Sequence, residues 1–170
     1  MALVQEFKMP KAIIVFLLTI IGLCFPQSDY ERWRQEQNIP AWIKESFSKS
    51  NLNQTYKFNF HLNPFYLRGD FNGDKVLDVC ASIINKNNEK TGLAIFHGNT
   101  NQIEILGAGN KFANRMDDFS WAGIWKIFEK AKDPIPEDVS GEIIYVEKPE
   151  AAGGLIYWNG KQYVWYQWGD

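Results

Sequence analysis

The hydrophobic positions along this chain change their period twice, and each change separates one kind of structure from the next. From Ala12 to Phe25 the chain is an unbroken apolar run, AIIVFLLTIIGLCF. Residues 29–49 then follow a helical spacing: Ser28 or Asp29 can cap the start, DYERWRQEQ holds good helix formers, and Trp42, Ile43 and Phe47 share one face. Asn38-Ile39-Pro40 interrupts this helix, because proline removes a donor from the ladder. Residues 50–55 are polar and predict a linker. At Tyr56 the period becomes two. Tyr56, Phe58, Phe60 and Leu62 alternate with Lys57, Asn59 and His61, as in a strand with one wet face.

Further strands are predicted at Phe65–Arg68 and Val76–Ile84, and a hairpin from Gly92–His97 to Gln102–Leu106 crosses Gly98-Asn99-Thr100-Asn101. GEIIYVEK predicts another strand, and LIYW-NG-KQYVWYQW a last hairpin whose Asn159-Gly160 suits a two-residue type I′ turn. Between these, WAGIWKIFEK sets Trp121, Ile124, Trp125 and Phe128 on one stripe behind Ser120, which predicts a short helix near 120–130. DPIPED is an extended connector. The expected class is α+β: an antiparallel sheet of about six to eight strands with an N-terminal helical arm and that one short helix. The expected organisation is a signal peptide over 1–24, the arm and linker over 25–55, and a β-rich domain over 56–170.

The first apolar run reads as an address. Lys8 and Lys11 precede it against a single Glu6, the charge pattern of a secretory signal. At 1.5 Å per residue it reaches about 21 Å, short of the roughly 30 Å hydrocarbon core. Gly22 and Cys24 are small residues suited to cleavage before Phe25; lipidation of Cys24, as in bacterial lipoproteins, is the alternative. The expectation is a secreted or periplasmic chain, with no membrane association after cleavage unless Cys24 carries a lipid. Cleavage there leaves 16 basic against 19 acidic residues, a net charge of −3 in place of the full chain's −2. It also leaves Cys80 as a lone cysteine within VCASII, where a thiol serves as a small apolar side chain.

Composition removes several function classes. Twelve Phe, seven Trp and seven Tyr supply large side chains for a core that has no disulfide. No block of Lys and Arg stands out, so binding along a phosphate backbone is disfavoured and no nucleic-acid partner is expected. His61 and His97 lack Glu or Cys at zinc-ligand spacing, and no serine sits in a nucleophile-elbow context.

One loop carries chemistry. Asp70-Phe71-Asn72-Gly73-Asp74-Lys75-Val76-Leu77-Asp78 places side-chain oxygens at relative positions 1, 3, 5 and 9, with position 7 free to offer a carbonyl. Such spacing wraps a hard cation, since Ca²⁺ takes six to eight oxygens. Ala81 stands at position 12, so the bidentate Glu of an EF-hand is absent, and the flanks are strands. Within YLRGDFNGDKVLDVCASII, which begins at Tyr66, residues 68–84 resemble the calcium loops of FG-GAP and VCBS-type repeats. The resemblance implies Asp70, Asn72, Asp74 and Asp78 as side-chain ligands, Val76 as a carbonyl ligand, and weak calcium binding. Lys75 departs from it, standing where that family usually has glycine. The whole chain, with GLAIFHGN, ILGAGN and GLIYWNGKQYVWYQ, resembles small uncharacterised secreted proteins of Gram-negative bacteria, which implies a location and a fold but no activity.

The last hairpin offers a second candidate, an aromatic binding face drawn from Trp158, Tyr163, Trp165, Tyr166 and Trp168. Alternation puts Tyr163 and Trp165 on one side, Tyr166 and Trp168 on the other; an N-terminal helix bearing Trp33 and Trp42 is expected to cover whichever side the core leaves open. Asp117-Asp118 reads as a helix cap, or as half of a carboxylate pair. The expected function is a calcium-stabilised, non-enzymatic binding or structural module whose partner is an envelope protein or glycan. The rivals are an envelope polysaccharide hydrolase using Asp117 or Asp118, and a periplasmic inhibitor of a foreign enzyme.

Overall fold

The computed structural model describes residues 27–113, 116–129 and 135–169. The signal segment 1–24, with Cys24, lies outside them, as does part of the connector after Glu129. The chain divides into two units, Met1–Arg34 and Gln35–Asp170. Helix α1 (Gln27–Glu36) starts in the first and its last two residues belong to the second; its part in the first carries a Glu31–Arg34 ion pair at 2.6 Å and a Tyr30–Trp33 contact at 5.9 Å between ring centroids.

The second unit contains helix α2 (Ala41–Lys49), the single turn α3 (Leu52–Thr55) and nine strands. The strands are β1 (Tyr56–Phe58), β2 (Tyr66–Gly69), β3 (Asp78–Asn85), β4 (Thr91–Phe96), β5 (Ile103–Gly107), β6 (Ile124–Ile127), β7 (Ser140–Glu147), β8 (Gly153–Trp158) and β9 (Tyr163–Trp168). They form two antiparallel sheets, and the mostly β, α+β character expected from the pattern holds. In the first sheet β3 pairs with β4, and β4 with β5. The other edge of β3 is shared end to end, by β1 opposite Ile83–Asn85 and by β2 opposite Asp78–Ala81. The second sheet is the meander β6-β7-β8-β9.

Alternation sorts the core into layers. Leu67, Cys80, Leu93 and Ile95 of the first sheet join Trp125, Ile144, Val146, Ile156 and Tyr163 of the second in one buried cluster, with Phe71 and Phe119 closing its ends. The opposite face of the first sheet, with Val79, Ala81, Ile83, Ala94 and Phe96, is covered by Ile39, Ile43 and Phe47. The far face of the second sheet holds Ile143, Leu155 and Tyr157 against Phe128, Val139 and Trp168. Burial on both faces explains why β3 and β4 read as continuous apolar runs rather than as alternation.

Four local expectations are corrected. The segment near 120–130 is strand β6, not a helix: its residues pair with β7 from Ile124↔Glu147 to Ile127↔Ile144. The same apolar spacing serves either structure over four residues. The sheet edge prevails by satisfying the backbone and burying Trp125, 2% exposed, whose indole N–H donates to the Pro64 carbonyl at 2.7 Å. Residues 50–55 are not a plain linker, because Leu52–Thr55 makes one helical turn. The last hairpin does not turn on Asn159-Gly160: Trp158 pairs with Tyr163, and the Asn159 amide donates to the Gln162 carbonyl at 3.1 Å, which leaves Gly160-Lys161 at the tip. Asn159 accepts the Lys161 and Gln162 amides through its side chain at 3.1 and 3.0 Å, which stabilises this shifted turn, and of these residues only Gly160 takes positive φ. Finally, Trp42 meets Phe96 edge-on at 6.4 Å, on the first sheet, so it does not cover the last hairpin.

Candidate functional site

The Asp70–Asp78 loop joins β2 to β3, and its side chains organise its own backbone. Asp70 Oδ1 accepts the Gly73 and Asp74 amides at 2.7 and 3.0 Å, and Oδ2 accepts Lys75 N–H at 2.9 Å. Asn72 Oδ1 accepts Asp74 N–H at 3.0 Å, and Asp74 Oδ1 accepts Val76 N–H at 2.8 Å. Successive Asx turns of this kind require short polar side chains at these positions. Gly73 and Lys75 both adopt left-handed backbone, at φ 81° and 68°. Lysine bears there a steric cost that glycine would avoid.

Asp78 plays a different part. It is fully buried, and its carboxylate reaches back to accept Phe71 N–H at 2.9 Å and across to accept Gly98 N–H at 3.0 Å. It therefore ties together both ends of its own loop and the turn after β4. His97, 3% exposed, lies one step beyond the Val79↔Phe96 pair, opposite Asp78; its Nδ1 stands 3.4 Å from Asp78 Oδ2 and 3.1 Å from Asn72 Nδ2. On its other side His97 faces Tyr163 at 6.0 Å and 16° between ring planes. Burial first, and the Asp78 carboxylate second, push the Tyr163 phenol above its ordinary pKa. From the second sheet Glu142 closes over the loop: its amide donates to the Asp70 carbonyl at 2.6 Å, and its Oε2 accepts Asp70 N–H at 2.8 Å.

The donor chemistry of this loop suits a hard cation, being oxygen throughout. Asp70 Oδ1 is filled by two amides, but each oxygen accepting one N–H retains one acceptor position. Asp70 Oδ2, Asn72 Oδ1, Asp74 and Asp78 all meet that condition. Among the described residues, however, no three Asp, Glu, His or Cys side chains converge closely enough to hold an ion with the loop as it stands.

The five aromatics of the last hairpin are not one face. Tyr163 lies in the inter-sheet core and Trp158 packs on it edge-on at 5.0 Å. Trp165, on the same side, is half-buried beside Trp121. Tyr166, 43% exposed, and Trp168 stand on the opposite side, with Trp168 against Phe128.

The Asp117-Asp118 pair has structural employment. Asp117 pairs with Lys90 at 2.5 Å. Asp118 accepts Thr91 N–H at 2.9 Å and the Ser120 amide and hydroxyl at 3.0 and 2.8 Å. Burial raises the Asp118 pKa, but these donors and Lys90 outweigh it and hold the carboxyl below its ordinary value. A general acid needs the opposite shift.

Sequence reasoning missed the hub made by His97 and Glu142. The signal for His97 lay in strand register, since pairing VCASII with GLAIF sets the residue after Phe96 against Asp78. Glu142 had no signal, because it meets the loop only through packing of one sheet on the other. No protein-family model, curated protein or solved structure matches this chain. Among the described residues no helix is long and apolar enough to cross a membrane.

Proposed function

We propose that this chain is a secreted or periplasmic binding or structural module of the cell envelope, non-enzymatic, whose Asp70–Asp78 loop is stabilised by calcium. The likeness of residues 68–84 to FG-GAP and VCBS-type loops belongs to this reading. One observation carries it: Asp70, Asp74 and Asp78 share one loop, Glu142 of the second sheet accepts the Asp70 amide, and none of the four is ion-paired to a Lys or Arg among the described residues. These negative charges have no cationic side chain to offset them, and a divalent cation in the loop would do so. Asp70, Asn72, Asp74 and Asp78 would hold the ion with the Val76 carbonyl. Calcium there would supply charge neutralisation and loop closure.

Thermal melts at fixed ionic strength, in millimolar calcium or in excess chelator, test the reading. Calcium at tenfold Kd should add about 1.4 kcal/mol, a rise of roughly 3–5 °C for a domain this size. Asp74→Ala should abolish the increment and leave a folded protein, because the inter-sheet core does not involve that exposed side chain. Equal melting temperatures in the two buffers would refute calcium stabilisation.

A further inference from the structure

A second feature of the inter-sheet layer lies away from the acidic loop. Trp121 and Trp165 cross at 89° with centroids 6.0 Å apart, and they line a groove of about 440 Å³ together with Met116, Lys148, Ala152 and Gln167. That volume falls within the roughly 300–1,000 Å³ of small-ligand sites. Both indoles are pinned. Trp121 donates its ring N–H to the Asp118 carbonyl at 2.9 Å and stacks on buried Phe119 at 5.8 Å. Trp165 lies directly over Gly154, where a Cβ would collide with its ring, so the glycine is what seats the indole. Gln167 donates to the Gly153 carbonyl at 3.0 Å and accepts Trp165 N–H at 3.4 Å, and each of its amide atoms retains one further hydrogen-bonding position. Among the described lining residues there is one cation, Lys148, in no ion pair, and no anion.

We propose that this groove binds an acidic saccharide, with a sugar ring against the Trp121 and Trp165 indoles, hydroxyls on Gln167 and the sugar carboxylate on Lys148. A pyranose presents apolar C–H faces and polar edges, and a fixed indole beside an amide matches both at little ordering cost. The uncompensated charge selects the acidic class over the neutral one. The inference rests on the binding half of the proposed function and is independent of the calcium loop.

Isothermal titration of the full chain with hyaluronan, chondroitin and alginate tetrasaccharides, against chitotetraose and cellotetraose, tests it. At least one acidic probe should bind with a dissociation constant on the order of 1 mM or tighter. Its neutral counterparts should bind about fivefold more weakly, the scale of one exposed ion pair. Lys148→Gln should erase that preference, and Gln167→Ala should weaken every probe. Trp165→Ala should cost about tenfold or more; the two exposed variants decide the matter if it fails to fold. Silence from all acidic probes, equal affinity for neutral ones, or unchanged binding in both exposed variants overturns the inference. A calcium-dependent melt without saccharide binding sinks this inference alone, and saccharide binding without a calcium effect sinks only the calcium reading.

Discussion

Replacing Asp78 by asparagine isolates the role of one buried carboxylate at nearly constant volume. In the wild type its two oxygens take Phe71 N–H at 2.9 Å and Gly98 N–H at 3.0 Å, and the side chain is completely enclosed. Asparagine keeps one acceptor and turns an NH₂ group toward the other amide, so one hydrogen bond is lost and two donors face each other. A hydrogen bond to a charged group contributes about 1.5–3 kcal/mol, and a buried unsatisfied donor costs about 1–3 kcal/mol. No cavity forms, and water can partly relieve the side of exposed Gly98. The net loss should be about 2–4 kcal/mol, a large share of the roughly 5–15 kcal/mol available to a domain. Urea unfolding followed by tryptophan fluorescence, in chelator so that calcium cannot contribute, should move the midpoint down by about 1–2 M at an ordinary slope. Asp74→Asn is the internal control, because Asp74 is exposed and should cost less than about 1 kcal/mol. A loss below about 1 kcal/mol for Asp78→Asn would refute the view that this carboxylate clamps the loop to the β4 turn.

Trp125→Phe should destabilise by about 1–3 kcal/mol in the same unfolding assay, since it gives up the bond to Pro64 and part of the inter-sheet packing; an unchanged midpoint would contradict that packing. Cys80 is fully buried, and burial pushes its thiol well above its ordinary pKa. Native protein should therefore leave the Cys80 peptide unlabelled by iodoacetamide, with labelling in denaturant, as read by peptide mass spectrometry. The Asp118 carboxyl titrates below its ordinary value, so its contribution is present above about pH 4 and is lost as pH falls through the lowered folded-state pKa. Asp118→Asn should accordingly be less stable than wild type near neutrality and converge with it in acid; a gap that persists at about pH 2 would show that the contribution is not electrostatic.

Much of the chain could be read locally. The break at Pro40, strands β2 to β5 and the hairpin of β8 and β9 all follow from neighbours a few residues apart, and local sterics and alternation act at that range. The Asp, Asn and Gly spacing of the β2–β3 loop was equally legible, because its Asx turns are made within the loop itself. What the sequence left ambiguous depended on distant residues. The segment WAGIWKIFEK carries apolar spacing that fits a helix, and only the free edge of β7 and a Trp125 site beside Pro64 made it a strand. Asp78 belongs by spacing to the loop, yet the turn after β4 shares its carboxylate and β4 register sets His97 beside it. The aromatic hairpin follows the same rule. Alternation separates Tyr163 and Trp165 from Tyr166 and Trp168, whereas the depth of Tyr163 and the groove beside Trp165 were decided by the opposing sheet and by Trp121, forty-odd residues away in the chain. Periodicity specifies which way a side chain points; what it meets there depends on how two sheets stack, and that is a property of the whole core.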